Sequence, residues 1–207
     1  MDELELLKKD WKNQEEGLPK LSYNEIYKMI LKKSSSMVKW IFIISILEFI
    51  LWSSIDIIVR LSGQYDELEV MGLEGFSLVS TILSYGILLY FIVRFYLNYR
   101  NIKTTDSASV LMKNILNTRR TVKQYIWINL SFLAVTFSIS MFYIIFYTEA
   151  HTNATGDKEV PAYLIIITTI IVLATFIGLL ALLYRLIYGI LTRRLKKNYK
   201  ELQKLEV

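Results

Sequence analysis

Four long apolar runs, set apart by short polar stretches of alternating charge, organise this 207-residue chain. The first, Trp40 to Arg60, holds about twenty residues, enough to cross a roughly 30 Å hydrocarbon core at about 1.5 Å per residue. The others run from about Phe76 to Asn98, Tyr125 to Thr148 and Pro161 to Tyr188. Pro161 suits the first turn of a helix, where its missing N–H costs nothing. Trp40, Trp52, Trp127 and several tyrosines lie toward span ends, as amphipathic rings do at a membrane interface. The pattern predicts an all-α integral membrane protein, an up-down antiparallel bundle of four transmembrane helices over about 40–60, 76–98, 125–148 and 161–188.

Ahead of the first run the periodicity is amphipathic. Leu4, Leu7 and Trp11 recur at helical spacing before Gly17 and Pro19 end the pattern. Ser22 and Glu25 then form the S-x-x-E signature of a capping box, which predicts a helix from about Tyr23 to Lys33 with Ile26, Met29 and Ile30 on one face. The triplet Ser34-Ser35-Ser36 is consistent with a hinge or with a helix continuing into the membrane. Residues 1–37 thus read as a cytoplasmic helical segment and 38–207 as the transmembrane domain. Between the second and third runs, Thr105 or Asp106 can cap a helix in which Leu111, Ile115, Thr118 and Val122 share a face. The third span is therefore expected to begin near residue 106, the second to project to about 102 and the fourth to about 203. These extensions would form a cytoplasmic continuation of the bundle.

Charge fixes the expected orientation. Residues 61–75 hold Asp66, Glu67, Glu69 and Glu74 and no Lys or Arg, whereas residues 99–124 hold six basic residues against Asp106. Residues 149–160 carry one basic residue, Lys158, and the tail beyond Leu191 carries Arg193, Arg194, Lys196, Lys197, Lys200 and Lys204. Basic and acidic segments alternate at every crossing, the positive-inside pattern of an inner-membrane, multi-pass protein with both termini cytoplasmic. Composition agrees: 54% of residues are hydrophobic and 14% aromatic, and the mean hydropathy is +0.38. A net charge of +5 with a pI near 9.2 would suggest nucleic acid in a soluble chain. Here topology and anionic headgroups account for it, so no nucleic acid is expected. With no cysteine and one histidine, His151, the chain has no disulfide, thiolate site or multi-histidine metal site of its own. No metal or other cofactor is expected. The charged N-terminus MDELELLKKDW does not read as a signal peptide, so the first span is expected to remain in the mature protein.

Candidate chemistry is sparse. Glu48 and Asp56 are the only acids inside an apolar run. Glu48 lies on the order of 12 Å inside the cytoplasmic entrance, and Arg94 on the antiparallel second span is near enough in depth to pair with it. The pair would either set helix register or form part of an ion or proton path. A protonated Glu48 bonded to Ser45 or to a polar residue of the third span is the other structural reading. Asp56 and Arg60 at i, i+4 are expected to pair on one helix face. Asn129, Ser131, Thr136, Ser138 and Ser140 run along the third span, and Thr168, Thr169, Thr175 and Gly178 along the fourth. They read as close-packing, hydrogen-bonding contacts between helices, with a polar path as the alternative. His151 with Glu149, Asp157 and Glu159 reads as a solvated loop, and Asn153-Ala154-Thr155 as a chance sequon. No nucleophile elbow, P-loop, zinc-protease or dinucleotide motif occurs, and no enzymatic activity is expected.

The segments MDELELLKKDWKNQ, LPKLSYNEIYKMILKKSSS and VKWIFIISILEF, within roughly residues 1–50, resemble the start of a family of small flavobacterial-type, four-span membrane proteins. Some members carry a carotene-oxygenase label, which a chain with only His151 cannot support, because that chemistry needs iron held by several histidines. Members tend to be encoded near a sigma factor of the extracytoplasmic-function type, so the resemblance implies a membrane-anchored regulator. The expected function is non-enzymatic scaffolding or regulatory interaction in the lipid bilayer. Its candidate partners are a cytoplasmic protein such as a transcription regulator and further copies of the chain as a homo-oligomer. Leu4, Leu7, Trp11, Ile26 and Ile30 are the candidate apolar anchors, free for a partner or docked on the bundle itself. The alternative is a small channel or transporter subunit using Glu48, Asp56 and Arg94.

Overall fold

The computed structural model describes residues 22–63, 72–105, 107–155 and 161–205. These form four helices, α1 (Tyr23–Leu61), α2 (Glu74–Lys103), α3 (Ala108–Thr155) and α4 (Ala162–Leu205), with no strand among the described residues. Each contains a stretch long and apolar enough to cross a membrane. At 39, 30, 48 and 44 residues they are longer than the roughly 20 that a bilayer needs. The surplus lies at one end, where α1 begins, α4 ends and α2 turns into α3. Because its surface is rich in Lys and Arg, we call it the basic end.

Ser22 opens α1 as the expected capping box. Its hydroxyl accepts from the Glu25 N–H at 3.3 Å, and its own N–H donates to Glu25 Oε2 at 2.7 Å. The backbone N–H of Ser22, then its hydroxyl and more weakly Lys28, hold the Glu25 carboxyl below the ordinary glutamate range. A carboxyl lowered by folding contributes stability above its unfolded value, and that contribution is lost as pH falls through the folded value. Amide protection in the first turn of α1 is therefore expected to weaken on acidification through that window. Hydrogen exchange should show the pH dependence vanish in Glu25→Gln.

The serine triplet is no hinge, for α1 runs through it unbroken. Ser34 is fully buried and accepts a hydrogen bond from the Asn198 amide of α4 at 2.9 Å. Ser34→Ala would strand that buried amide and is expected to cost about 1–3 kcal/mol, read as a lowered melting temperature in mild detergent. Gly63, at φ 77°, follows the C-cap Ser62, whose N–H donates to the Ile58 carbonyl and ends α1.

The α2–α3 turn is short, and α1 braces it: the Tyr27 hydroxyl donates to the Thr105 carbonyl at 3.0 Å. Thr105, one of the two cap candidates, does not cap α3. Its hydroxyl donates backward to the Asn101 carbonyl of α2 and accepts from Asn114 of α3 at 3.0 Å. A threonine hydroxyl can satisfy a freed carbonyl of the preceding helix as readily as an N–H of the next. Asp106 lies outside the described residues. The onset of α3 at Ala108 and the ends of α2 at Lys103 and α4 at Leu205 fall within two residues of expectation.

Each helix packs mainly on its two neighbours around the ring, with α4 closing against α1 and little contact across the diagonal between α1 and α3. The connected buried core lies at the basic end and the adjoining half of the spans. Ile30, Val38 and Ile41 of α1 meet Phe91, Phe95 and Ile102 of α2, Leu111, Ile115 and Tyr125 of α3, and Tyr188, Leu195 and Leu202 of α4. Polar bridges are interleaved: the Asn98 amide donates to Thr121 at 3.2 Å and its oxygen accepts from Asn117 at 3.0 Å. The most apolar stretches instead turn outward, as with Ile50, Ile82, Phe142 and Ile170. Hydrocarbon tails solvate such side chains as well as protein does, so only the part of the bundle outside the bilayer gains by burying them.

Candidate functional site

Glu48 is where the bundle departs most from the sequence reading. Its two oxygens accept hydrogen bonds from two tyrosines of α4: Oε1 from Tyr184, and Oε2 from Tyr188 at 3.2 Å. The Tyr125 ring of α3 completes the cluster, edge-on to Tyr184 and Tyr188 at 5.9 and 5.7 Å between centroids. The buried Tyr125 hydroxyl faces the same cluster and makes no well-formed hydrogen bond among the described residues. Ser45, a partner considered for Glu48, donates instead to the Phe42 carbonyl at 2.7 Å.

Arg94 does not pair with Glu48. It is exposed on the outer face of α2, and its guanidinium stands 5.9 Å from the centroid of the Tyr90 ring, one turn away. The physical reason is rotational: Phe91 and Phe95 occupy the inward face of α2, so Arg94 points outward, where a long basic side chain can reach an interface. Asp56 and Arg60 do pair, with Oδ2 and Nε 3.1 Å apart.

The tyrosines escaped the sequence reading because a tyrosine in an apolar run is usually an interfacial ring. A signal was present in the register. Glu48 follows Lys39 by nine residues (48 − 39), and Tyr184 precedes Arg193 by nine (193 − 184), so they lie at matching depth on antiparallel helices. Tyr184 and Tyr188, at i and i+4, then share a face.

Beyond this cluster, away from the basic end, the bundle opens into a cavity of about 420 Å³. It reaches from Leu73 and Phe76 at the start of α2 to Leu88 and Tyr184 at mid-depth. Ser77, Ser80, Thr81 and Ser84 line it from α2 at i, i+3, i+4 and i+7, one helical face. Asn129, Thr136 and Ser140 line it from α3, and Trp52 and Asp56 from α1. Tyr184 belongs to both features, forming part of the cavity wall while donating to Glu48.

Several other hydroxyls of the spans bond within their own helix rather than between helices. Ser138 and Thr175 are exposed and donate to carbonyls four residues back in their own helices, at 2.7 Å each; Thr168 does the same at 2.8 Å. Ser131 is exposed, and a side chain at Gly178 would meet nothing within 4 Å. Thr169 does reach across, to Met141 at 4.0 Å.

Of the anchor candidates, Ile30 is buried in the bundle's own core and Ile26 packs against it, while Met29 points outward, 59% exposed. Ile26 and Ile30 are thus occupied and are not free for a partner. Leu4, Leu7 and Trp11 lie outside the described residues, as do Asp157 and Glu159, and the side chains of Glu149 and His151 are not described.

Four apolar helices of membrane-spanning length, packed around a core that closes at one end, define a multi-pass helical membrane protein. Within that class the chain belongs to the family described as domain of unknown function DUF8845, which matches residues 24–207. No curated protein and no solved structure matches the chain.

Proposed function

We propose that this is a non-enzymatic inner-membrane protein with both termini in the cytoplasm, acting as a scaffold or regulator that docks an acidic cytoplasmic partner on its basic end. The supporting observation is the surface of that end. Lys113, Arg120, Lys123, Arg193, Arg194, Lys196, Lys197 and Lys200 all lie exposed on helices that run unbroken from the membrane. Held on rigid, fully packed helices, these charges form a fixed pattern rather than a loose tail, which favours electrostatic recognition of one partner orientation. The positive-inside rule places that end in the cytoplasm. The resemblance of residues 1–50 to flavobacterial-type proteins that tend to be encoded near sigma factors would make the partner a transcription regulator.

With Ile26 and Ile30 in the core, the contact surface of this reading moves from apolar anchors to charge. Deleting residues 1–33 would remove Ile30 from the bundle, so the informative truncation is 1–21. Crosslinking and affinity capture of the full-length protein are expected to recover a cytoplasmic partner. Lys113→Glu, Lys197→Glu and Lys200→Glu together should lose it, with insertion and orientation unchanged. Undiminished recovery by a correctly oriented triple variant would sink the proposal.

A channel or transporter subunit remains the second reading, and the observation in its favour is the cavity with Asp56 on its wall and Glu48 behind Tyr184. Against it, the rings of Phe91, Phe95, Tyr125 and Tyr188 pack together across the centre of the bundle, where a path would run. Arg94 has no part in it.

A further inference from the structure

We infer that the cavity between the four helices is a binding site for a lipophilic organic cation. Its volume, about 420 Å³, falls within the roughly 300–1,000 Å³ usual for small-molecule sites. Its chemistry selects among candidate ligands in three steps.

An acyl chain is disfavoured by the polar stripes. The hydroxyls of Ser54, Ser138 and Thr175, on exposed faces, are satisfied by carbonyls of their own helices. Among the described residues the cavity-lining Ser77, Ser80, Thr81 and Ser84 of α2 make no such bond. Filling the space with hydrocarbon would leave these hydroxyls dry, either unpaired or turned back onto their own helix, and would use none of them to hold the ligand. An occupant must therefore carry its own polar or hydrated part along this wall.

An anion is disfavoured by the wall charges. Among the described residues no Lys, Arg or His lines the cavity, and the one carboxyl on its wall is that of Asp56. The arginine paired with Asp56 is not among the lining residues. A buried anion would meet no compensating cation there.

A cation finds both of its usual partners. Trp52, Phe76, Tyr85, Phe132, Phe137 and Tyr184 present aromatic surface to the space, and ring faces attract positive charge most when water is excluded. Directly behind Tyr184 sits the Glu48 carboxylate, held by the two tyrosine hydroxyls. The Glu48 cluster thus sets a carboxyl group behind one ring at the floor of the site, and the rings and apolar walls demand that the cation be lipophilic.

Tetraphenylphosphonium and tetraphenylborate, ions of similar size and shape but opposite charge, test this directly. Each is titrated separately by equilibrium dialysis into the full-length protein in detergent micelles, with protein-free micelles subtracted. Saturable phosphonium binding is expected, at least about tenfold tighter than borate. Ser80→Leu combined with Thr136→Leu fills the cavity and should abolish it, and Glu48→Gln should reduce the cation preference by about tenfold. Failure of the folded wild-type protein to bind phosphonium saturably would overturn the proposal, as would equal or tighter binding of borate. So would phosphonium binding unchanged in a folded cavity-filled variant. Should Glu48→Gln fail to fold, the charge comparison on the wild-type protein and the cavity-filled variant still decide.

Discussion

Phe95→Ala is expected to destabilise the protein by about 3–5 kcal/mol, the range for emptying a well-packed aromatic site. Phe95 is fully buried, and its ring lies 5.5 Å from Tyr125, 6.2 Å from Phe91 and 6.5 Å from Tyr188, contacts that join three of the four helices. No neighbour can move into the gap without leaving its own rings. A fall in the melting temperature in mild detergent reads the effect, with Val93→Ala as the control, since Val93 faces outward on the same helix and should change little. An equal effect of the two changes would mean that the closed core at the basic end is not what holds the helices together.

Removing the Glu48 carboxylate is the second large perturbation. Glu48→Leu deprives Tyr184 and Tyr188 of their acceptor. Hydrogen bonds to a carboxylate contribute about 1.5–3 kcal/mol each, so a loss of roughly 3–6 kcal/mol is expected. Tyr188 is buried, whereas Tyr184 borders the cavity and can be rehydrated. Tyr188→Phe in the Glu48→Leu background should therefore recover more stability than Tyr184→Phe. Arg94→Gln should be close to neutral, because Arg94 lies exposed against Tyr90 rather than beside Glu48. A double-mutant cycle measures the couplings. Strong coupling between Glu48 and Arg94, with none between Glu48 and Tyr188, would reverse this assignment.

Much of the architecture was legible because it depends on features local in sequence. The apolar runs are long enough to span, the Ser22–Glu25 box opens α1 where its spacing requires, and Leu111, Ile115, Thr118 and Val122 do share the inner face of α3. Asp56 and Arg60 meet because i, i+4 neighbours on a helix must. The Glu48–Arg94 pairing failed for a different reason. Depth along a helix follows from counting residues, but which way a side chain faces depends on which neighbour takes the inward stripe. On α2 that stripe belongs to Phe91, Phe95 and Asn98. In an all-apolar span periodicity gives little help, since lipid and protein solvate the same side chains.

By itself, then, the sequence determined the number of apolar spans, their approximate ends and the alternation of charge between them, because hydropathy, capping and loop charge act over short stretches of chain. Only the tertiary structure decided which residues meet across the bundle: Glu48 with two tyrosines of α4, Asn198 with Ser34, and Ile30 with the protein's own core. It also decided that the helices part away from the basic end to leave a polar-lined cavity. These contacts are set by the rotation of each helix about its axis, which is fixed jointly by all four once their aromatic and polar side chains are packed together.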